Sequence, residues 1–357
     1  MLTLRCDTAA LRRNARYIRD ASGTKLIAIV KHDAYGAGLS VAVKTLESEV
    51  DGFAAAEASE ALRIRALSPK SRVMTLAPVY RDELCPALAG LVLSVDSAEI
   101  IGLLGGIYIS MPGAVALRVD ISDSGIGLCR RDFFAALAML ADTPNVRLAA
   151  VFAHCPSLYN SGGAAEMARR FGELAAAAQR FDRRCVCSIA TSASWRTPEL
   201  RFDAVRVGTN LDGLPSNERQ PTKDLRPVLT LSTQLHSVFD APGSLNFYDN
   251  CVELSGVRRA GVAAAGYGHL PALLHHQNLH ALVRGRPARV LGSVSMSHLM
   301  LDLSAVPDAA PGDEVVFVGR SGAAEMTAAR FAQCCAIPVC RCESSLFTGS
   351  CVRREII

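Results

Sequence analysis

Short apolar runs rich in Val, Ile, Leu and Ala recur through the first two-thirds of this 357-residue chain. They cover residues 26–30, 53–56, 73–76, 91–95, 115–119, 148–153, 187–190 and 205–207. Runs that are apolar at consecutive positions suit strands buried on both faces, as in parallel sheets. Several stretches between them are helix-like: 41–49, 58–67 and the Ala-rich 164–181. Strands alternating with helices build parallel βα units. Eight such units predict a (β/α)8 TIM barrel over residues 8–222. A doubly wound sheet is the alternative, and the even recurrence of eight units favours closure.

The texture changes after Ser216. Residues 218–223 are polar, contain Pro221 and read as a linker. Beyond them come short strands at 228–235, 262–265, 290–296, 300–303 and 314–318, separated by Gly and Pro turns, with one helix at 323–336. The fold class is therefore α/β, an N-terminal barrel with a C-terminal mostly-β domain over 223–357. The N-terminal strand, 1–7, is assigned to that second domain.

Composition narrows the function classes. Half of the residues are apolar and 20% are charged, which excludes a disordered chain. The net charge is only +4, with five lysines and no dense basic stripe, so no nucleic-acid partner is expected. Arg5 and Asp7 stand where a secretory signal needs apolar residues, which makes the expected compartment the cytoplasm. The best membrane candidate, 101–117, is broken by Gly105, Gly106, Ser110, Pro112 and Gly113. It reads as strand and turn, so no membrane partner is expected. Twelve cysteines include Cys185/Cys187, Cys334/Cys335 and Cys340/Cys342, none at zinc-knuckle spacing. They read as small buried hydrophobes. His276 and His280 are four apart, but Pro271 and the polar loop around it argue against a metal-binding helix, and no metal is expected.

Barrel chemistry sits at the C-terminal ends of the strands. The first strand runs straight into Lys31, in a chain that uses lysine sparingly. Desolvation there lowers an amine's pKa and suits it to condense with a carbonyl; a lysine snorkelling to the rim is the plainer alternative. The sixth strand ends in His154, the seventh in Thr191 and Ser192, and the eighth in Arg206, Val207, Gly208 and Thr209. Loops after the seventh and eighth strands commonly bind phosphate. A carbonyl-reactive lysine facing a phosphate cup is what pyridoxal 5'-phosphate requires.

The run Val30-Lys31-His32-Asp33-Ala34-Tyr35-Gly36-Ala37-Gly38 is similar to the cofactor motif of the alanine racemase family, the fold-type III pyridoxal-phosphate enzymes. Thr191-Ser192-Ala193 ahead of Phe202-Asp203-Ala204-Val205-Arg206-Val207-Gly208 also resembles that family, as do Gly266-Tyr267 and Pro311-Gly312-Asp313-Glu314 followed by Gly319-Arg320. The resemblance spans nearly the whole chain. It implies an isomerase, a pyridoxal-phosphate-dependent amino-acid racemase. Lys31 would hold the cofactor covalently and act as base on one face of the substrate α-carbon. Tyr267, from the partner subunit of a homodimer, would act on the other face; two bases on opposite faces invert the centre. Arg206 would bond the pyridine nitrogen. Tyr35, Ser192, Gly208 and Thr209 would hold the phosphate, with His154 close to the cofactor.

The substrate side departs from the family pattern. The fifth strand and its loop read Leu117-Arg118-Val119-Asp120-Ile121-Ser122-Asp123-Ser124-Gly125-Ile126-Gly127. Arg118 stands at the position of a lysine that is carbamylated in many members. Gly125 stands where the family has an arginine that contacts the substrate carboxylate. Arg118 is therefore a candidate to supply the missing guanidinium. Met296-Ser297-His298 replaces the Met-Asp segment whose backbone meets the carboxylate, which makes Met296 the other candidate substrate residue. Phe247-Tyr248-Asp249-Asn250 replaces the usual entrance segment, and Ser344 or Ser345 replaces a phosphate-binding tyrosine. These changes point to an amino-acid substrate other than, or larger than, free alanine. The alternatives are another reaction of the same cofactor, decarboxylation or aldol cleavage, and a non-catalytic carrier of pyridoxal phosphate.

Overall fold

After an opening strand, β1 (Thr3–Cys6), and helix α1 (Thr8–Ser22), eight parallel strands follow in chain order. They are β2 (Lys25–Ile29), β3 (Gly52–Ala55), β4 (Val73–Thr75), β5 (Val92–Val95), β6 (Gly113–Arg118), β7 (Val146–Phe152), β8 (Val186–Ser188) and β9 (Ala204–Val207). In this computed structural model the described residues are 2–88, 90–155, 163–217, 220–247, 250–338 and 353–357. The eight strands lie in the order β8-β7-β6-β5-β4-β3-β2-β9. The seam between β8 and β9 is bridged by the Asp203 N–H donating to the Cys187 carbonyl at 2.9 Å and the Arg206 N–H donating to the Ala190 carbonyl at 3.0 Å. The expected (β/α)8 barrel is thus present.

The barrel strands are buried on both faces, β3 at every position and β6 at all but its last. That is why they read as unbroken apolar runs rather than as alternating ones. Ala54, Met74, Ala116, Ala150 and Phe152 form one inner cluster, with several small side chains. The covering helices include α2 (Leu39–Leu46), α3 (Ala58–Leu67), α4 (Ala98–Ile107), α5 (Arg130–Ala141) and α6 (Gly163–Phe181). α6 turns Phe171, Leu174, Ala175 and Ala178 inward at helical spacing, and Phe171 meets Phe202 edge-on at 4.8 Å. Removing the Phe171 ring should cost about 3–5 kcal/mol. The Glu166, Arg169, Arg170 and Glu173 pairs on the same helix are exposed and worth far less.

This barrel unit comprises Leu11–Ala34 and Leu39–Leu211, and a second unit comprises Met1–Ala10, Tyr35–Gly38 and Asp212–Ile357. In the second unit six antiparallel strands form a closed ring: β10 (Leu229–Asp240), β13 (Arg259–Ala263), β16 (Leu299–Asp302), β15 (Arg286–Leu291), β14 (His280–Val283) and β17 (Glu314–Ser321), which returns to β10. β11 (Ser244–Phe247) and β12 (Asn250–Glu253) form a separate hairpin. β1 pairs antiparallel with β10 and parallel with β19 (Arg353–Ile356).

Two local expectations change. Residues 101–107 are helical, the greater part of α4, although Gly105 and Gly106 interrupt the apolar run. A Cβ at Gly105 would lie 2.4 Å from Thr143 Cγ2, so the glycine lets the helix approach its neighbour. The expected helix at 323–336 instead divides into β18 (Ala324–Met326) and α7 (Ala328–Cys334). β18 turns back on β17 around Gly322 at φ 57°, and the Thr327 hydroxyl caps α7 by accepting the Arg330 N–H at 3.2 Å.

Among the described residues, no helix is long and apolar enough to cross a membrane. Cys6, Cys155, Cys185, Cys187 and Cys335 are buried, whereas Cys129 and Cys251 are exposed. Burial pushes the Cys6 and Cys335 thiols up to about 12, so neither supplies thiolate at neutral pH. In a dithionitrobenzoate titration of native protein, Cys129 and Cys251 should react at least about a hundredfold faster than these two. Equal rates before and after unfolding would contradict the assigned burial.

Candidate active site

The C-terminal mouth of the barrel collects most of the polar residues singled out from the sequence. β2 leads through Val30, whose N–H donates to the Ala54 carbonyl at 2.9 Å, into half-buried Lys31. His32, Asp33, Ala34 and Tyr35 then run as a left-handed turn, with φ of 52°, 57°, 53° and 54°. Left-handed conformation costs L-residues about 1–2 kcal/mol each, so the turn stores about 4–8 kcal/mol. Specific bonds hold it in place. Glu60 accepts the Asp33 N–H at 3.0 Å and, through its other oxygen, the Ala56 N–H at 3.2 Å. Asp33 in turn accepts the Leu39 N–H at 2.8 Å.

Arg206 is 3% exposed on β9. One of its terminal nitrogens donates to the Ser188 carbonyl at 2.7 Å and hydroxyl at 2.9 Å, and the other to the Ala153 carbonyl at 2.6 Å. Its guanidinium also lies 5.0 Å from the centre of the Phe152 ring. Asp203 is engaged elsewhere, by Gln179 and the Cys187 N–H, so an Arg206–Asp203 ion pair does not form. Burial first, then Arg118, pushes the Arg206 pKa down to about 9, which leaves it charged at neutral pH.

Arg118 closes β6, partly buried. Burial lowers its pKa, against the pull of Asp96 and Asp120. Its guanidinium forms no ion pair among the described residues. Asp120 itself is committed to its own loop, accepting from the Ser122 N–H, the Ser124 hydroxyl and the Gly125 N–H at 3.0, 3.1 and 2.6 Å. His154, at the end of β7, has an edge open to solvent. Even so, the surrounding protein, then Arg206, Arg118 and Lys31, hold its imidazole below the ordinary value. Arg206, Arg118 and Lys31 thus all act on His154 across one mouth and favour its neutral form. Three basic groups around one opening suit an anion or a neutral acceptor there.

The loops after β8 and β9 are joined by the Gly208 N–H, which donates to the Ser192 hydroxyl at 3.0 Å. Thr209 follows, half-buried, and Tyr35 ends the left-handed turn. In the second unit, Tyr267 and Met296 come together. The Tyr267 N–H donates to the Ser295 carbonyl at 3.0 Å, and the Gly268 N–H to the Met296 carbonyl at 2.9 Å. A Cβ at Gly266 would fall 2.2 Å from the Ser295 carbonyl oxygen, so this close backbone approach demands glycine there. Tyr267 is half-exposed and Met296 is 58% exposed. Tyr248, Asp249, Ser344 and Ser345 lie outside the described residues.

Three contributors escaped the sequence reading: Glu60, Ser188 and Asp120. Ser188 carried a signal, a polar residue inside an apolar strand beside a buried arginine. Glu60 carried a weaker one, at the third position of a helix, where carboxylates reach back to free N–H groups.

Pyridoxal phosphate fits this arrangement. The buried Arg206 Nε has no hydrogen-bond partner in the structure. A buried donor in that state costs about 1–3 kcal/mol until something accepts from it, and a pyridine nitrogen can. Lys31 could hold the aldehyde carbon, and Ser192, Gly208 and Thr209 could hold the phosphate.

Comparison with known proteins agrees. Residues 6–215 match the family model described as alanine racemase, N-terminal domain, and residues 228–343 match alanine racemase, C-terminal domain. The alanine racemase of Pseudomonas syringae pv. syringae is 31% identical over 339 residues, covering 91% of this chain and 92% of that one. That of Pseudomonas taetrolens is 30% identical over 331 residues, covering 90% and 91%. The crystal structure of the biosynthetic alanine racemase of Pseudomonas aeruginosa, 26% identical, superposes with a TM-score of 0.86 over 100% of this chain and 99% of that one. The chain belongs to the alanine racemase family of pyridoxal-phosphate-dependent isomerases.

Proposed function

We propose that this racemase inverts an amino acid other than, or larger than, free alanine, using Lys31 and the Tyr267 of a partner subunit as its two bases. The carrying observation is the substrate side of the barrel mouth: Arg118 ends β6 without an ion pair among the described residues, and Gly125 leaves its surroundings open. A Cβ at Gly125 would find no atom within 4 Å, and its φ of 74° suits glycine rather than arginine.

Bound pyridoxal phosphate withdraws electrons from the substrate α-carbon and so acidifies its proton. The rest is the work of this chain. The Lys31 amine removes or returns the proton on one face, and the Tyr267 hydroxyl does so on the other. The Arg206 Nε–H, still protonated at neutral pH, would donate to the ring nitrogen, keeping that nitrogen unprotonated and moderating electron withdrawal. Such moderation favours proton return over transamination. Arg118 takes the substrate carboxylate by charge-assisted hydrogen bonds. Because Tyr267 serves the other subunit's site, the active form is a homodimer in the cytoplasm.

Incubating protein and cofactor with a panel of L-amino acids in D2O tests the reading. Exchange of the α-proton with formation of the D-isomer is expected for a residue bulkier than alanine. Free alanine proving the best substrate overturns the specificity, retained configuration overturns the two bases, and an active monomer overturns the dimer. Arg118→Ala should raise KM by about tenfold to a hundredfold, the loss of one charged hydrogen-bond partner, with kcat little changed. An unaltered KM would remove Arg118 from the substrate site.

A further inference from the structure

The opposite, N-terminal end of the barrel opens into a cavity of about 710 Å³. Its rim carries Lys25, Arg72, Arg147 and Arg184 from the starts of four strands, against one wall carboxylate, Asp51. In a strand, residues two apart share a face. Lys25 precedes Ile27, Arg72 precedes Met74 and Arg184 precedes Val186 by that step, so each cation continues a line of cavity-lining side chains. The floor is apolar, made of Ile27, Met74, Val92, Ala150 and Val186. Ala150, where barrel interiors usually carry a bulkier branched residue, leaves room there.

The charges on the rim are poorly balanced from within. Asp51 is occupied in accepting the Leu26 N–H at 2.8 Å. Arg184 is paired with Asp182 at 3.1 Å, and Arg147 acts on the same carboxylate only through space. Lys25, Arg72 and Arg147 form no ion pair with any described residue. Arginines elsewhere on the surface behave differently: Arg130, Arg169 and Arg284 each hold a carboxylate within 2.9 Å. Four cations against Asp51 and Asp182 leave a net positive charge around a concave, apolar-floored opening, which suits a multiply charged anion.

We infer that this cavity binds a small organic phosphate, its phosphate on Lys25, Arg72 and Arg147 and an apolar ring or chain on the floor. The volume lies within the usual range of small-molecule sites and far exceeds what a lone inorganic ion needs. Guanidinium forks suit a phosphate, whose several oxygens can engage more than one cation together. The site is separate from the reaction at the other end of the strands and does not depend on which amino acid is inverted.

The test uses protein saturated with pyridoxal phosphate, so that the cofactor's own phosphate cradle is filled. AMP, inorganic pyrophosphate and citrate are titrated by calorimetry at low salt. AMP is expected to bind with Kd below about 1 mM and to weaken as salt is raised. The double variant Arg72→Gln/Arg147→Gln, altered only at exposed positions, should bind AMP at least about tenfold more weakly and keep its racemase kcat/KM. No AMP binding, or equal binding by the double variant, overturns the site. Pyrophosphate or citrate binding as tightly as AMP overturns the organic phosphate in favour of a simple anion patch.

Discussion

Lys31→Ala is expected to lower kcat for racemisation by at least about 10⁴-fold, because one amine supplies both the covalent hold on the cofactor and one of the two bases. The substitution should not unfold the barrel. The bonds that hold the left-handed turn run from the Asp33 N–H to Glu60 and from the Leu39 N–H to Asp33, and neither uses the Lys31 side chain. The four residues in left-handed conformation follow Lys31 rather than include it. Borohydride reduction followed by intact mass measurement separates loss of attachment from loss of fold. Wild-type protein should gain the mass of the reduced cofactor at Lys31. The variant should gain none, while its circular dichroism and melting stay near wild type. A small amine such as methylamine should restore part of the rate by substituting for the missing base. A variant that still carries the cofactor after reduction, or that keeps more than about a hundredth of the rate, would remove Lys31 from the centre of the reaction.

How much of this was legible beforehand follows from what each element needs. Parallel barrel strands are buried on both faces, so their apolar runs stand out, and the residues at their C-terminal ends can be named by position. Lys31, His154, Ser192 and Arg206 were found in that way. The left-handed turn after Lys31 left no such mark: His and Asp visit positive φ as single residues, Ala and Tyr seldom do, and nothing in the four predicts a continuous run, which the bonds from Glu60 hold in place. Residues 323–336 look helical because alanine dominates them locally. The tight hairpin that pairs Gly319 with Met326 and Ser321 with Ala324 is a cross-strand contact that helix propensity does not contain. Gly105 misleads in the opposite sense, a helix breaker by propensity that is retained because Thr143 leaves no space for a side chain. The cavity at the N-terminal end of the barrel was invisible for a related reason. Its four cations are scattered from position 25 to position 184 and meet only through closure of the barrel.

Tyr267→Phe should lower racemisation by about 10²- to 10⁴-fold, the range for removal of one acid–base group, and do so unequally for the two enantiomers. The ring stays, and the backbone that positions it is fixed by the Tyr267 N–H on Ser295 and the Gly268 N–H on Met296, so only the hydroxyl is lost. The enantiomer whose α-proton faces Lys31 should still exchange that proton with D2O, whereas its mirror image should exchange far more slowly. Equal slowing of both would assign the tyrosine to substrate placement instead of proton transfer. Mixing then decides whose site the tyrosine serves. Neither the Lys31→Ala homodimer nor the Tyr267→Phe homodimer holds an intact pair of bases. If Lys31 and Tyr267 of one site come from different subunits, a mixed dimer holds one site with both changes and one with neither. Random reassortment of equal amounts makes half of the dimers mixed, each with one of its two sites intact, so activity should recover to about a quarter of wild type. If both bases come from the same chain, every site in the mixed dimer lacks one of them, and mixing restores nothing. Recovery that rises with time as subunits exchange therefore ties the second base to the partner subunit, and its absence would return Tyr267 to its own chain.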